Sequence, residues 1–362
     1  MQIAAGTLTG VFSFDVGYEI QLDALARLLA PLGAHAGVAG PSAVGIRGAG
    51  RTRDLEFGTR SVRLPDLSTE VRVVLRAHDF GAFTVMMGLP LTGALEALGP
   101  LTASLVRLKT LEGLAVEFAR QVLPLAAPAI SRVGFNDFVE DFYVIQVDRF
   151  DTPVTPAELC ERYRAPIALA LRCEKEHLAE GEADEVFESA VSYHPGELVV
   201  PDWNAAFLYN TNHSRLFDVL EFLNVQLLEL RFFDRRLDNR LSHLLQVVYE
   251  SRPRLRTLLS NPYGPALEEV SELKVETTLI AERVANALKF IDDLYLAKVY
   301  SATSERLHLD AWRASVEAKL RVVHEIFEIL NARAGTYRNE ALELMIIVLI
   351  MVEIVLGLVR GC

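Results

Sequence analysis

Residues Ala341–Val359 read ALELMIIVLIMVEIVLGLV, and this stretch narrows the architecture of the chain more than any other. As an α-helix it would be about 28 Å long, close to the ~30 Å hydrocarbon thickness of a bilayer. Its apolar residues run without alternation, which predicts a transmembrane helix. Two acids interrupt it, Glu343 near the start and Glu353 well inside. A charge near mid-bilayer costs roughly 2.5–3.5 kcal/mol, and each surrounding Leu, Ile or Val contributes a few tenths in the opposite direction. The sum favours insertion, with Glu353 either protonated or facing a partner helix. The alternative is a very apolar helix buried in a soluble oligomer. Arg333 and Arg338 precede the segment and Arg360 follows it. That bias predicts a single-pass tail anchor over 341–362 with the bulk of the chain in the cytoplasm. Gly357 and Gly361 make one GxxxG spacing, which by itself defines no interface.

Upstream of the anchor the periodicity is helical. Leu216, Leu220, Leu223, Leu227, Leu230, Asp234, Leu237, Leu241, Leu244 and Val248 follow alternating steps of four and three. This is a heptad seam with one polar member, Asp234, which would fix register at some cost in stability. Pro253, Pro262 and Pro265 separate it from a weaker seam through Leu273, Thr277, Ile280, Val284, Ala287 and Ile291. The last helix repeats the spacing at Val316, Leu320, Val323, Phe327, Leu330, Ala334, Tyr337, Ala341 and Leu344. Residues 211–340 are therefore expected to form a coiled-coil helical stalk, and the chain to be a homo-oligomer.

Residues 1–210 are expected to form a mixed α/β head, so that the whole chain is α+β. Thr7–Val16, Val71–Leu75, Gly81–Gly88 and Phe138–Val147 are rich in β-branched and aromatic residues and predict strands. Gln21–Leu32 and Leu101–Leu123 carry helical periodicity. Thr155-Pro156-Ala157-Glu158 is a helix start with a capping box, predicting a helix to about His177. Phe187–Tyr209 predicts strands around a His194-Pro195-Gly196 turn. Arg47, Arg51, Arg53, Arg60 and Arg63 form a local basic run, expected to be a solvated hairpin, with contact to anionic lipid or RNA as the alternative.

The 362 residues carry 36 Lys+Arg against 48 Asp+Glu, a formal charge of -12, which argues against a nucleic-acid partner. With 51% hydrophobic residues the chain can bury a large core, so it is not disordered. Three cysteines make no disulfide framework and suggest a reducing compartment. Met1–Gly10 shows neither a charged n-region nor an apolar h-region, nor the Arg/Ser-rich pattern of a transit peptide.

There is no GxxxxGK[ST], HExxH, GxSxG or CxxC pattern. Two Glu-x-x-His elements, Glu174/His177 and Glu305/His308, have di-iron spacing, but one sits at a fraying helix end and the other at a junction. No catalytic, cofactor-binding or metal-binding residue is expected, and the chain is expected not to be an enzyme; the alternative is an enzyme whose site in the head is built from dispersed residues that form no motif.

Three blocks carry a resemblance. They are Asp202-Trp203-Asn204-Ala205-Ala206 with Leu220–Asp234, then Tyr295–Tyr300 with Glu305–Trp312, then Leu342–Ile350 with Glu353. As a set they resemble bacterial members of the required-for-meiotic-nuclear-division family, most strongly over Asp202–Leu358. The resemblance implies an anchored protein with a C-terminal coiled coil and membrane helix, here in a bacterial cytoplasmic membrane. In eukaryotic members it implies an oligomer at the mitochondrial inner membrane that supports organellar translation, and it supplies no catalytic residues. The residues expected to serve assembly or interaction are Trp203, Glu221, Asn224, Glu229, Arg231, Asp234 and Glu353. Trp203 is expected to pack at the junction of head and stalk. Glu221, Asn224, Glu229 and Arg231 are expected either to form a solvated helix face or to contact a neighbouring helix or the head. The function that fits is a membrane-anchored scaffold or recruitment protein, whose head binds an unidentified protein and whose helix binds the bilayer.

Overall fold

Strand-forming residues dominate the first 90 positions because each strand alternates between two faces, and here both faces are covered. The computed structural model describes residues 1–36, 51–63, 68–135, 138–210, 213–250, 264–268, 270, 271, 273 and 293–360. In chain order the first elements are β1 (Gln2–Asp15), β2 (Glu19–Ile20), α1 (Leu22–Leu29), β3 (His35–Ala36), β4 (Thr52–Arg63), β5 (Ser68–His78), β6 (Ala82–Pro90) and β7 (Gly93–Ala94). Then come α2 (Leu98–Leu108), α3 (Thr110–Ala126), β8 (Ile130–Ser131), β9 (Glu140–Phe150), α4 (Pro156–Arg162), α5 (Arg164–Leu171) and α6 (Glu182–Glu188). The last are β10 (Leu198–Pro201), β11 (Ala205–Tyr209), α7 (His213–Glu250), α8 (Leu294–Arg306) and α9 (Leu309–Arg360).

The main sheet has the order β10-β11-β9-β1-β6-β5-β4-β3, with β7 also on β1, and β2 pairs β8 separately. Its pairs are antiparallel except β11 against β9, which are parallel. Parallel neighbours need a crossover, and α4, α5 and α6 lie in it. One face stacks Leu75, Val85 and Phe12 in register across three strands, and Phe207 beside Ile145 further along. All five are buried, in one core with Leu25, Leu105, Phe118 and Leu171 from the helices. Gly81, where β6 begins, shows why a side chain is excluded there. Its φ is +103°, and an added Cβ would lie 2.0 Å from the Gly17 carbonyl oxygen.

Several elements differ from the sequence expectation. The helix expected over Leu101–Leu123 is two helices, because Lys109 adopts φ 50° and turns the chain between buried Leu105 and Leu111. The helix from Thr155 has its full capping box but stops at Arg162, and Pro166 sits in the first turn of the next one, where its missing N–H goes unmissed. The turn expected at His194–Gly196 is present, with Val191 bridging Val199 across it, but the longer hairpin of β10 and β11 turns at Asp202–Asn204, and Phe187 lies in a helix. The basic run lies partly outside the described residues; within them Arg53 pairs with Asp23, Arg51 with Asp79, and Arg60 lies over the Phe118 ring, while β4 and β5 pair as antiparallel neighbours.

By internal contacts the chain divides into two units, Met1–Leu230 with Arg283–Ala311 and Arg231–Glu282 with Trp312–Cys362. The division expected after residue 210 falls elsewhere because the first part of α7 packs on the second face of the sheet. In the second unit burial recurs at seven-residue intervals, at Leu237 and Leu244 on α7 and at Val316, Val323 and Leu330 on α9. The weaker seam from Thr277 to Ile291 lies outside the described residues. From Leu342 onward α9 continues as one uninterrupted helix, the one helix among the described residues long and apolar enough to cross a membrane.

Candidate functional site

The second face of the sheet carries a polar row that runs across five strands in register. Asp54 pairs with Arg76, Arg76 with Thr84, Thr84 with Ser13, and Ser13 with Glu140. Helix α7 covers this row and sets Asp218, Glu221 and Asn224, three residues apart on one helical face, against it.

At one end Asn224 Nδ2 donates to Ser13 Oγ at 3.0 Å and to the Glu140 carbonyl at 3.1 Å. The Ser13 and Thr84 hydroxyls meet at 3.1 Å, and Thr84 Oγ1 lies 3.4 Å from His78 Nε2. Glu221 then accepts from both sides, 2.8 Å from His78 Nε2 and 3.2 Å from Arg76 Nη1. Arg76 completes a fork on Asp54 at 2.7 and 2.8 Å and reaches Asp218 at 2.7 Å. Ser13, Thr84, His78, Glu221 and Asn224 are all buried. His78 Nδ1 and Asn224 Oδ1 are buried atoms with no hydrogen-bond partner among the described residues.

Burial alone would raise the Glu221 carboxyl, but the charges of His78 and Arg76 outweigh it and hold the group down at about 2. Burial opposes charge on Arg76 as well, and Asp54, Glu221 and Asp218 together lift its guanidinium above its ordinary value. Asp218 goes the other way, pushed up by burial more than Arg76 lowers it. The network of ion pairs and hydrogen bonds fastens a helix to a sheet.

A second cluster ties α5, α6, α8 and the β10–β11 turn. Arg172 reaches Glu185 at 2.9 Å and Asp202 at 3.2 Å, and Arg306 also pairs with Glu185. Asp202 is buried, and burial raises its carboxyl despite Arg172. Beside it burial pushes the Cys173 thiol up to about 12. An open cleft of ≈ 530 Å³ lies at the far end of β9, lined by Asp148, Arg149, Asp151 and Tyr209 among others.

The predicted interaction residues are scattered among these settings. Glu221 and Asn224 lie in the buried row against the sheet, and Glu229 is half-buried further along α7. Trp203 is 52% exposed at the tip of the hairpin turn, where it packs against no junction. Arg231 stacks over Trp312 at 5.6 Å, and Asp234 receives Lys319 and Ser315 at 2.7 Å each. Glu353 is exposed on the apolar part of α9. Among the described residues no three His, Cys, Asp or Glu side chains converge as a metal site, and neither Glu-x-x-His element joins one.

The sequence reading missed Arg76, His78, Ser13 and Thr84. Polar residues alternating with Val73, Leu75 and Ala77 look like the wet side of a strand, and nothing local says that a helix 140 residues later covers them. The one available signal was Glu221 and Asn224 themselves, two polar residues enclosed by apolar ones.

The family model for "Uncharacterized protein MJ0711, N-terminal domain" matches residues 5–215. An uncharacterized protein, MJ0711, of the archaeon Methanocaldococcus jannaschii is 20% identical over 248 residues, covering 67% of this chain and 74% of that one. No solved structure matches the chain. These findings overturn the resemblance to the required-for-meiotic-nuclear-division family, and the bacterial assignment drawn from it goes too. The blocks that suggested it lie mostly in heptad and apolar helices, where any amphipathic or membrane helix supplies similar residues. The match instead covers the sheet and the start of α7, more than half of the chain, and the chain belongs to the family of the MJ0711 N-terminal domain.

Proposed function

We propose that this protein is a non-enzymatic, homo-oligomeric scaffold, anchored in a membrane by the apolar end of α9, whose sheet domain recruits a protein partner. The observation that carries this reading is the exposure of the large apolar side chains from Leu342 to Leu358, on all sides of the helix, with none of the most apolar 18-residue window buried. Water is a poor solvent for such a surface, and a bilayer is a good one. Arg333 and Arg338 on the sheet-domain side support a cytoplasmic domain. Exposed Trp203 and Tyr193 offer aromatic contacts to a partner.

The test is carbonate extraction of the full chain beside a chain ending at Glu340. Retention of the full chain alone in the membrane pellet supports the anchor. Release of both sinks it and makes the apolar helix a contact between soluble copies.

A further inference from the structure

Within the apolar part of α9 the residues that are not plain aliphatic lie on one stripe. At 100° per residue, Glu343, Glu353 and Gly357 fall inside an arc of about 80°, with Ile346 and Ile350 between them. Every other position from Leu342 to Leu358 is Leu, Ile, Val or Met. Glu353 lies about 5 Å past the midpoint of the segment, well inside a hydrocarbon layer. A carboxyl there requires a hydrogen-bonding partner, and nothing in the described chain covers it.

We infer that this stripe is a helix–helix contact between two copies of the chain in the membrane, centred on Glu353 and Gly357. The inference rests on the anchor reading and names its interface. The choice of occupant follows from depth. Anchored copies insert in the same direction, so a second copy presents Glu353 opposite Glu353 and Gly357 opposite Gly357. Two carboxyls that hold one proton between them satisfy each other away from lipid, and a glycine one turn further on lets the two backbones approach. The face is self-complementary, as a two-fold contact requires. An unrelated partner would need a polar group at that same depth.

The test uses the full chain, labelled with donor and acceptor dyes, in phosphatidylcholine vesicles diluted with increasing lipid. Energy transfer should report association of the wild type. Glu353→Leu and Gly357→Leu should weaken it about tenfold, Glu353→Gln should keep most of it, and Val355→Leu on the opposite face should leave it unchanged. Vesicle flotation of every variant separates the two levels of the argument. A chain that does not float sinks the anchor reading and this one with it. Floating wild type that stays monomeric, or Glu353→Leu that associates like wild type, overturns the stripe alone. So does an equal loss from Val355→Leu.

Discussion

His78 Nε2 and Glu221 Oε1 meet at 2.8 Å with both side chains buried, joining strand β5 to helix α7 across 143 positions of sequence. Removing one member of such a set leaves the others charged and dry, which is far worse than removing the whole set. Glu221→Leu takes the carboxylate from buried His78 and one of three from Arg76, which keeps Asp54 and Asp218, and should lower the stability of the sheet unit by about 3 kcal/mol. Denaturant unfolding of the full chain in detergent measures this. If Glu221→Leu unfolds at the wild-type midpoint, the row does not hold the helix down.

The same carboxyl sets a pH dependence with a definite sign. Its folded value lies near 2, below the ordinary carboxylate value of 4.5. It therefore stabilises the fold fully above about pH 4.5, and that contribution fades as pH falls from there through 2, by an amount on the order of 3 kcal/mol. Asp218 and Asp202, raised by burial, work in the opposite direction and soften the slope. Glu221→Gln should flatten the acid limb of stability between pH 4.5 and 2. A variant whose acid limb overlays the wild type's would show that Glu221 is not the group that titrates.

How much of this was legible depends on the range of each interaction. The capping box at Thr155 and the apolar run after Leu342 are written in consecutive residues, and both stand in the structure. The break at Lys109 depends on a positive φ that lysine does not advertise. The row Asp54–Arg76–Thr84–Ser13–Glu140 requires knowing which strands are neighbours, and strand order is a property of the folded sheet. Glu221 and Asn224 read equally as a solvated helix face or as contacts to the head, and their partners stayed invisible.

Gly81 predicts a local failure. Alanine there must adopt φ +103° and push a methyl group into the Gly17 carbonyl, 2.0 Å away, so the two loops must part. Strain of this kind costs about 1–3 kcal/mol before any displacement is counted. Gly33→Ala provides the comparison, since it shares a positive φ of 81° but meets no atom within 4 Å. Thermal unfolding should place Gly81→Ala clearly below Gly33→Ala. Equal midpoints would mean that the close approach at Gly17 relaxes freely.

Asp234 was read from sequence as the polar member of a seam, and the structure gives it Lys319 at 2.7 Å and Ser315 at 2.7 Å within the second unit. Lys319 also reaches Asp238 at 2.7 Å, and these carboxylates together raise its ammonium above the ordinary value even though partial burial works against it. The pair is partly wet, so its worth is that of a screened surface network, about 0.5–1 kcal/mol. Its larger role is to choose which residues of α7 and α9 face each other. Asp234→Leu would extend the Leu seam on both sides, and buried leucine adds hydrophobic contact at any nearby register. The expected result is a variant nearly as stable as wild type, or slightly more so, with less uniform pairing. Disulfide trapping reads this directly: a cysteine at Leu237, tested in turn against one at Val316, Leu320 or Val323, should crosslink predominantly with a single partner in wild type, and shifted partners should appear with Asp234→Leu. A single crosslinking pattern in both would show that the apolar positions alone fix the register.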